Sequence, residues 1–230
     1  MPCKNSLKQY TDKGYYHIYN RGVEKRVIFQ DIQDYLVFLS YLKAYLLPKN
    51  EKELGERLAD PNTSYREKDK IIKLLSLNNF AEEINLLAYC LMPNHFHFSI
   101  KQESAISMDK FMNSLGTRYS MYFNHKYKRV GPLYQGVYKA VMVATEEQLI
   151  HLSRYIHKQA LALQGEALER GIQEQPSSYQ DYIGNRKTQW VKCEEILAYF
   201  SKSNPKLSYK AFVEEIDDLE LISKLVLEDV

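Results

Sequence analysis

The sequence predicts an α+β domain in which a four-stranded antiparallel sheet is backed by two helices. Three observations predict it. Short segments with strand-like patterning recur four times. Helical stripes of period 3.6 fill the gaps between the first and second and between the third and fourth of them. The second and third are separated only by Pro93-Asn94, a turn too short for anything but a hairpin.

YYHIYNRG, Tyr15 to Gly22, alternates apolar and polar residues and then meets a glycine, so it reads as a strand running into a turn. Asp31 to Leu47 (DIQDYLVFLSYLKAYLL) carries a helical stripe, with Asp31 as N-cap and Pro48 as its stop. Residues 48 to about 82 are highly charged and contain ADPNTS, which reads as an inserted helical excursion with a loop. INLLAYCLM (Ile84 to Met92) is apolar at every position but Asn85, as a strand buried on both faces would be. HFHFSIK (His95 to Lys101) follows the Pro-Asn turn as its hairpin partner. Met108 to Tyr127 is a long amphipathic helix, and Gly136 to Ala144 is a fourth strand. Thr145 then caps a last helix, TEEQLIHLSRYIHKQALAL, whose first turn is acidic. The order β-α-β-β-α-β is the ferredoxin-like arrangement. A further helix and a mostly helical C-terminal appendage complete the chain. The expected division is a domain over residues 10–164 and an extension over 165–230.

The totals exclude several classes. An apolar share of 45% and a charged share of 26% describe a soluble globular protein. Cys3, Cys90 and Cys193 are odd in number, far apart and without a CxxC, which argues against a disulfide framework and for a reducing cytoplasm. The first residues are polar, and the longest apolar run near the histidines is too short to span a bilayer, so no membrane role is expected. Tyrosine is abundant, 19 against 9 phenylalanines, and suits polar grooves and interfaces.

Two constellations carry chemistry. In a strand, residues i and i+2 project to one face. His95 and His97 therefore point together, as half of a metal site or as two half-buried sheet histidines. On the last helix, Tyr155 and Gln159 lie one turn apart on a shared face. A phenol beside a ligating amide suits phosphodiester cleavage, and a place in the core stripe beside Leu152 and Ile156 suits Tyr155 equally. His157 points about 200° away from Tyr155 at 3.6 residues per turn, and is expected on the surface.

The charge distribution points to nucleic acid. The net charge is only +2, but between Arg118 and Lys139 lie Arg118, Lys126, Lys128, Arg129 and Lys139 with no acid among them. Tyr119, Tyr122, Tyr127, Tyr134 and Tyr138 interleave with them. Cations that track phosphates and rings that stack on bases are what single-stranded nucleic acid requires. Arg21, at the end of the first strand, and Tyr134 join this candidate DNA-binding set. Residues 192–230 run the other way, with five Lys against nine Asp and Glu.

Taken together, these pieces resemble the single-tyrosine HUH transposases, and within them the REP-associated tyrosine transposase and insertion-sequence transposase branches. The pattern of histidine, bulky hydrophobic residue and histidine is His95-Phe96-His97. YYHIYNRG, NSLGTRYSMYFNHKYKRVGPLYQGVYKAVMV and RYIHKQ look like successive blocks of that family, in order, over about residues 10 to 160. The resemblance implies His95 and His97 as ligands of Mg²⁺ or Mn²⁺, Gln159 as the third ligand and Tyr155 as the nucleophile. It implies cleavage of single-stranded DNA near hairpins (REP-like or insertion-sequence ends) through a 5′-phosphotyrosine, by a monomer or a homodimer. The REP-associated branch usually shows YIxxNP after its tyrosine. YIHKQA departs from it, and Gln159 is closer to the insertion-sequence branch. A nicking replication initiator and a non-catalytic nucleic-acid-binding module on the same fold are the alternatives.

Overall fold

A computed structural model describes residues 8–163, 165 and 175–215. The strands are β1 (Tyr15–Arg21), β2 (Ile84–Met92), β3 (His95–Gln102) and β4 (Lys139–Val143). They form one antiparallel sheet in the order β2-β3-β1-β4. That order, with α1 (Ile32–Leu46) between β1 and β2 and α4 (Ser107–Lys126) between β3 and β4, is the expected ferredoxin-like topology. The charged excursion contains two helices, α2 (Glu51–Ala59) and α3 (Tyr65–Ser76). The last helix of the expected series is α5 (Glu146–Ala162). Short helices α6 (Tyr179–Tyr182), α7 (Glu194–Leu197) and α8 (Tyr209–Glu214) follow. Among the described residues no helix is long and apolar enough to cross a membrane.

The helix starts read from the sequence have a physical basis. The Asp31 carboxylate accepts from the Asp34 amide, and the Thr145 hydroxyl accepts from the Gln148 amide. Gly22 closes β1 because a Cβ there would collide with the Arg26 carbonyl oxygen.

The sheet is covered on both faces. Tyr16, Ile18, Leu86, Leu91, Phe96, Phe98 and Ile100 face α1 and α4 and form the larger core. Phe38 of α1 lies at its centre, fully buried, with its ring against Phe29, Phe96, Phe98 and Tyr119. Phe38→Ala should therefore cost about 3–5 kcal/mol of stability, read as a lower denaturation midpoint with an unchanged m-value. The exposed Leu36→Ala on the same helix should stay within about 0.5 kcal/mol of wild type.

On the other face, Ala88, Cys90 and Met92 of β2 pack under Leu149, Leu152, Ile156 and Ala160 of α5. Residues 175–215 extend this second core with Tyr179, Tyr182, Ile196, Tyr209 and Val213. They also run along the open edge of β2. The Leu91 amide donates to the Pro176 carbonyl, and the Ser178 and Lys192 amides donate to the Tyr89 and Leu86 carbonyls. An edge strand that would otherwise invite pairing is thereby occupied, and because a core packs on each of its faces β2 is apolar on both.

His157 corrects an expectation. The sequence reading put it on the surface because it points away from Tyr155. It is instead 0% exposed, with Nδ1 2.6 Å from the Tyr209 hydroxyl and Nε2 2.7 Å from Ser178 Oγ. The helical angle was sound. The far side of α5 faces the C-terminal segment rather than water.

Candidate active site

The site builds up from strand register. β1 and β3 are the two central strands, so each is held on both sides. Tyr19 of β1 pairs with His97 of β3, and Arg21 pairs with His95. Residues in register share a face, so Tyr15, His17, Tyr19 and Arg21 stand with His95, His97 and Ser99. On the outer side of β1, Lys139 pairs with Tyr19 and continues the same row.

The His95 and His97 rings lie 4.9 Å apart at 89° to one another. Each has a partner at Nδ1. That of His95 is hydrogen-bonded to the Asn94 side-chain oxygen. That of His97 lies 3.0 Å from Nε2 of His17. Helix α5 crosses this face and sets the Tyr155 ring 5.4 Å from His97, nearly perpendicular to it, and 6.2 Å from His17. Tyr155 and the histidines of one chain thus stand together. Tyr155 is half-buried, as a phenol at the margin of a core should be.

Gln159 follows Tyr155 one turn later. Both line a cleft of about 540 Å³ between α5 and α8, with Lys158, Leu161, Ala162, Val213 and Glu214. Neither His95 nor His97 lines that cleft. The donor set nevertheless suits a divalent cation, since two imidazoles converge on one face of a rigid strand pair beside a phenol. Among the described residues no group of three or more His, Cys, Asp and Glu side chains converges on one point, and the third ligand read from the sequence is an amide.

The candidate DNA-binding residues fall into separate places. Arg21 and Lys139 are on the histidine face, and Lys139 is exposed. Lys128 and Arg129 lie in the turn after α4, where Lys128 takes φ of 50° and is exposed. Arg129 donates to the Asn124 side chain. Arg118 sits elsewhere, with its guanidinium 3.9 Å above the Tyr41 ring at the α1–α4 seam. Lys126 is paired with Asp31 and with the fully buried Asp34, each at 2.7 Å. Burial alone would depress its ammonium, but the bonds to Asp31 and Asp34 outweigh that and raise it. Tyr134 packs edge-on to Phe96 and bridges to Gly22 through its backbone.

One residue of the site, His17, is absent from the sequence-derived set. The signal was present in YYHIYNRG. Alternation puts His17 on the face of Tyr19, and the ferredoxin-like order makes β1 the neighbour of β3.

Residues 63–159 match the family described as "Transposase IS200 like". No curated protein sequence matches the chain. Among solved structures, a REP-associated tyrosine transposase bound to a REP hairpin aligns with a TM-score of 0.47 at 9% identity, covering 94% of this chain and all of that one. A candidate transposase from Deinococcus radiodurans R1 aligns with a TM-score of 0.28 at 15% identity, over 68% of this chain and 98% of the other. From residue 63 to residue 159, a span that includes His95, His97, Tyr155 and Gln159, this chain is related in sequence to the IS200-like transposases.

Proposed function

We propose that this protein is a transposase that cuts and rejoins single-stranded DNA at hairpin-flanked sites, with Tyr155 as the nucleophile acting within its own chain. The observation that carries the reading is the Tyr155 ring standing against His97, with His95 beside it, inside a region related to a transposase family. Residues 10–164 form the catalytic unit in this reading, and 165–230 the extension.

His95 and His97 would hold a Mg²⁺ or Mn²⁺ ion, with the Gln159 amide as third ligand. When bound, the ion supplies Lewis-acid polarisation of the scissile phosphate. The chain's own residues do the rest. The Tyr155 oxygen attacks phosphorus and loses its proton, while the bond to the 3′-oxygen breaks and that oxygen takes up a proton. The 5′-phosphate stays on the tyrosine as a diester. A second 3′-hydroxyl reverses the step, so the ester energy is conserved and strands rejoin without external fuel. Arg21 and Lys139 stand in the same sheet-face rows as the histidines, which supports a phosphate-holding role for them there, and Lys128 and Arg129, in the turn after α4, would contribute separate contacts.

The test is incubation with labelled single-stranded DNA containing a hairpin, in Mn²⁺, followed by denaturing electrophoresis. Wild type should show a protein–DNA adduct that survives denaturation. His95→Ala should show none, yet bind the same DNA within about threefold of wild type, because phosphate contacts dominate affinity. Binding should weaken steeply with added salt. Tight hairpin binding with no adduct under any divalent cation sinks the enzyme and leaves a binding module.

A further inference from the structure

His17 is a third imidazole in the site and is 0% exposed. Its ring stacks on that of His97 with centroids 5.1 Å apart, and its Nε2 is 3.0 Å from His97 Nδ1. The two histidines of the HxH pair therefore have the same arrangement, each with a partner at Nδ1. For His95 the partner is an amide oxygen, which only accepts. The hydrogen is then on His95 Nδ1, and its Nε2 carries the lone pair. For His97 the partner is another imidazole, and the chemistry allows either ring to donate. Only one arrangement gives His97 a lone pair at Nε2, the one in which His97 Nδ1–H donates and His17 Nε2 accepts.

We infer that His17 is a positioning residue: it accepts from His97 Nδ1–H, fixes that ring's tautomer and rotation, and so presents His97 Nε2 to a divalent cation. This rests on the metal-site reading of His95 and His97 given above. Ligating histidines characteristically donate their other ring N–H to a fixed acceptor. A neutral imidazole is a suitable acceptor here, because its ring nitrogen takes the hydrogen bond without bringing a further charge into a fully buried position. His17 is held for the task by β1, which is paired on one side to β3 and on the other to β4, with Ser99 and Val141 opposite it.

The experiment uses the full chain and two readouts besides activity. In metal-free protein, imidazole ¹⁵N spectra should show His97 as the Nδ1–H tautomer in wild type. The same should hold in His17→Gln, whose side-chain oxygen can accept. His17→Phe should show a mixed or Nε2–H His97. Calorimetric titration with Mn²⁺ should give about 10–100-fold weaker binding in His17→Phe, with recovery toward wild type in His17→Gln. A wild-type His97 that is mainly Nε2–H overturns the proposal, as does a folded His17→Phe that binds Mn²⁺ as wild type does. If His17→Phe does not fold, the wild-type tautomer and the His17→Gln titration decide. Wild type that takes up no Mn²⁺ removes the metal reading itself, a failure distinct from normal uptake that is indifferent to His17.

Discussion

Tyr155→Phe should abolish the covalent DNA adduct while leaving the fold, Mn²⁺ binding and DNA affinity close to those of wild type. The substitution removes only the oxygen that would bond phosphorus. The ring stays, and with it the edge contacts to His97 at 5.4 Å and His17 at 6.2 Å. Its half-buried place beside Leu152 and Ile156 on α5 is kept, so the melting temperature should move little. Losing a nucleophile is not a graded defect in covalent catalysis, because the intermediate cannot form at all. The informative competitor is Tyr19, a second phenol on the same face, whose ring is 5.9 Å from His97. Tyr19 is fixed in the central sheet, whereas Tyr155 lies on a helix that crosses it. Tyr19→Phe should retain the adduct. An adduct that survives in Tyr155→Phe and vanishes in Tyr19→Phe would reassign the nucleophile and leave the rest of the site standing.

A second large effect concerns acid stability. His157 is buried as a neutral ring between Tyr209 and Ser178. The Tyr209 hydroxyl donates onward to Ser153 Oγ, so it accepts from His157 Nδ1–H, and the Ser178 hydroxyl can donate to His157 Nε2. Every polar atom of the neutral ring is thus used. Burial pushes the imidazole pKa down to about 3, and the positive charge of Arg186 adds to the shift. An unfolded histidine titrates near 6.5. The sign follows directly. Between these values the unfolded chain binds a proton that the folded chain refuses. The stabilisation is therefore complete above about pH 6.5 and is lost as pH falls toward about 3. One proton contributes a slope of about 1.4 kcal/mol per pH unit in that window. His157→Gln should be less stable at neutral pH by about 1–3 kcal/mol, from hydrogen bonding lost in a buried site. Its stability should fall less steeply with acid, so the two curves approach each other. Denaturant melts across the pH range measure this. Parallel curves for wild type and variant would mean that His157 is not held neutral.

The two cases differ in how much the sequence could reveal. For His95, His97 and Tyr155, local rules fixed which way each side chain points within its own element. Strand period put both histidines on one face, and the cap at Thr145 set the phase of α5. For His157 the same helical arithmetic led to the wrong surroundings. Periodicity says which way a side chain points, and it says nothing about what arrives there from another part of the chain. Ser178 and Tyr209 come from 21 and 52 residues away. Lys126 and Arg118 show the same limit. In the sequence they belong to an acid-free basic run, but in space Asp31 and Asp34 are brought to the first and the Tyr41 ring to the second.

The sequence alone determined the elements, their order and the pairing of β2 with β3, because these depend on contacts within one or two turns. It also supplied the candidates, two histidines on one strand face and a tyrosine with an amide one turn away on a helix. The tertiary structure decided what depends on pairing across 80 residues. It set β1 against β3 in a register that places His17 on His97, laid α5 over that face, and ran the C-terminal segment along β2. Register and packing are cooperative properties of the whole sheet, and a one-residue slip would turn every one of these side chains to the other face.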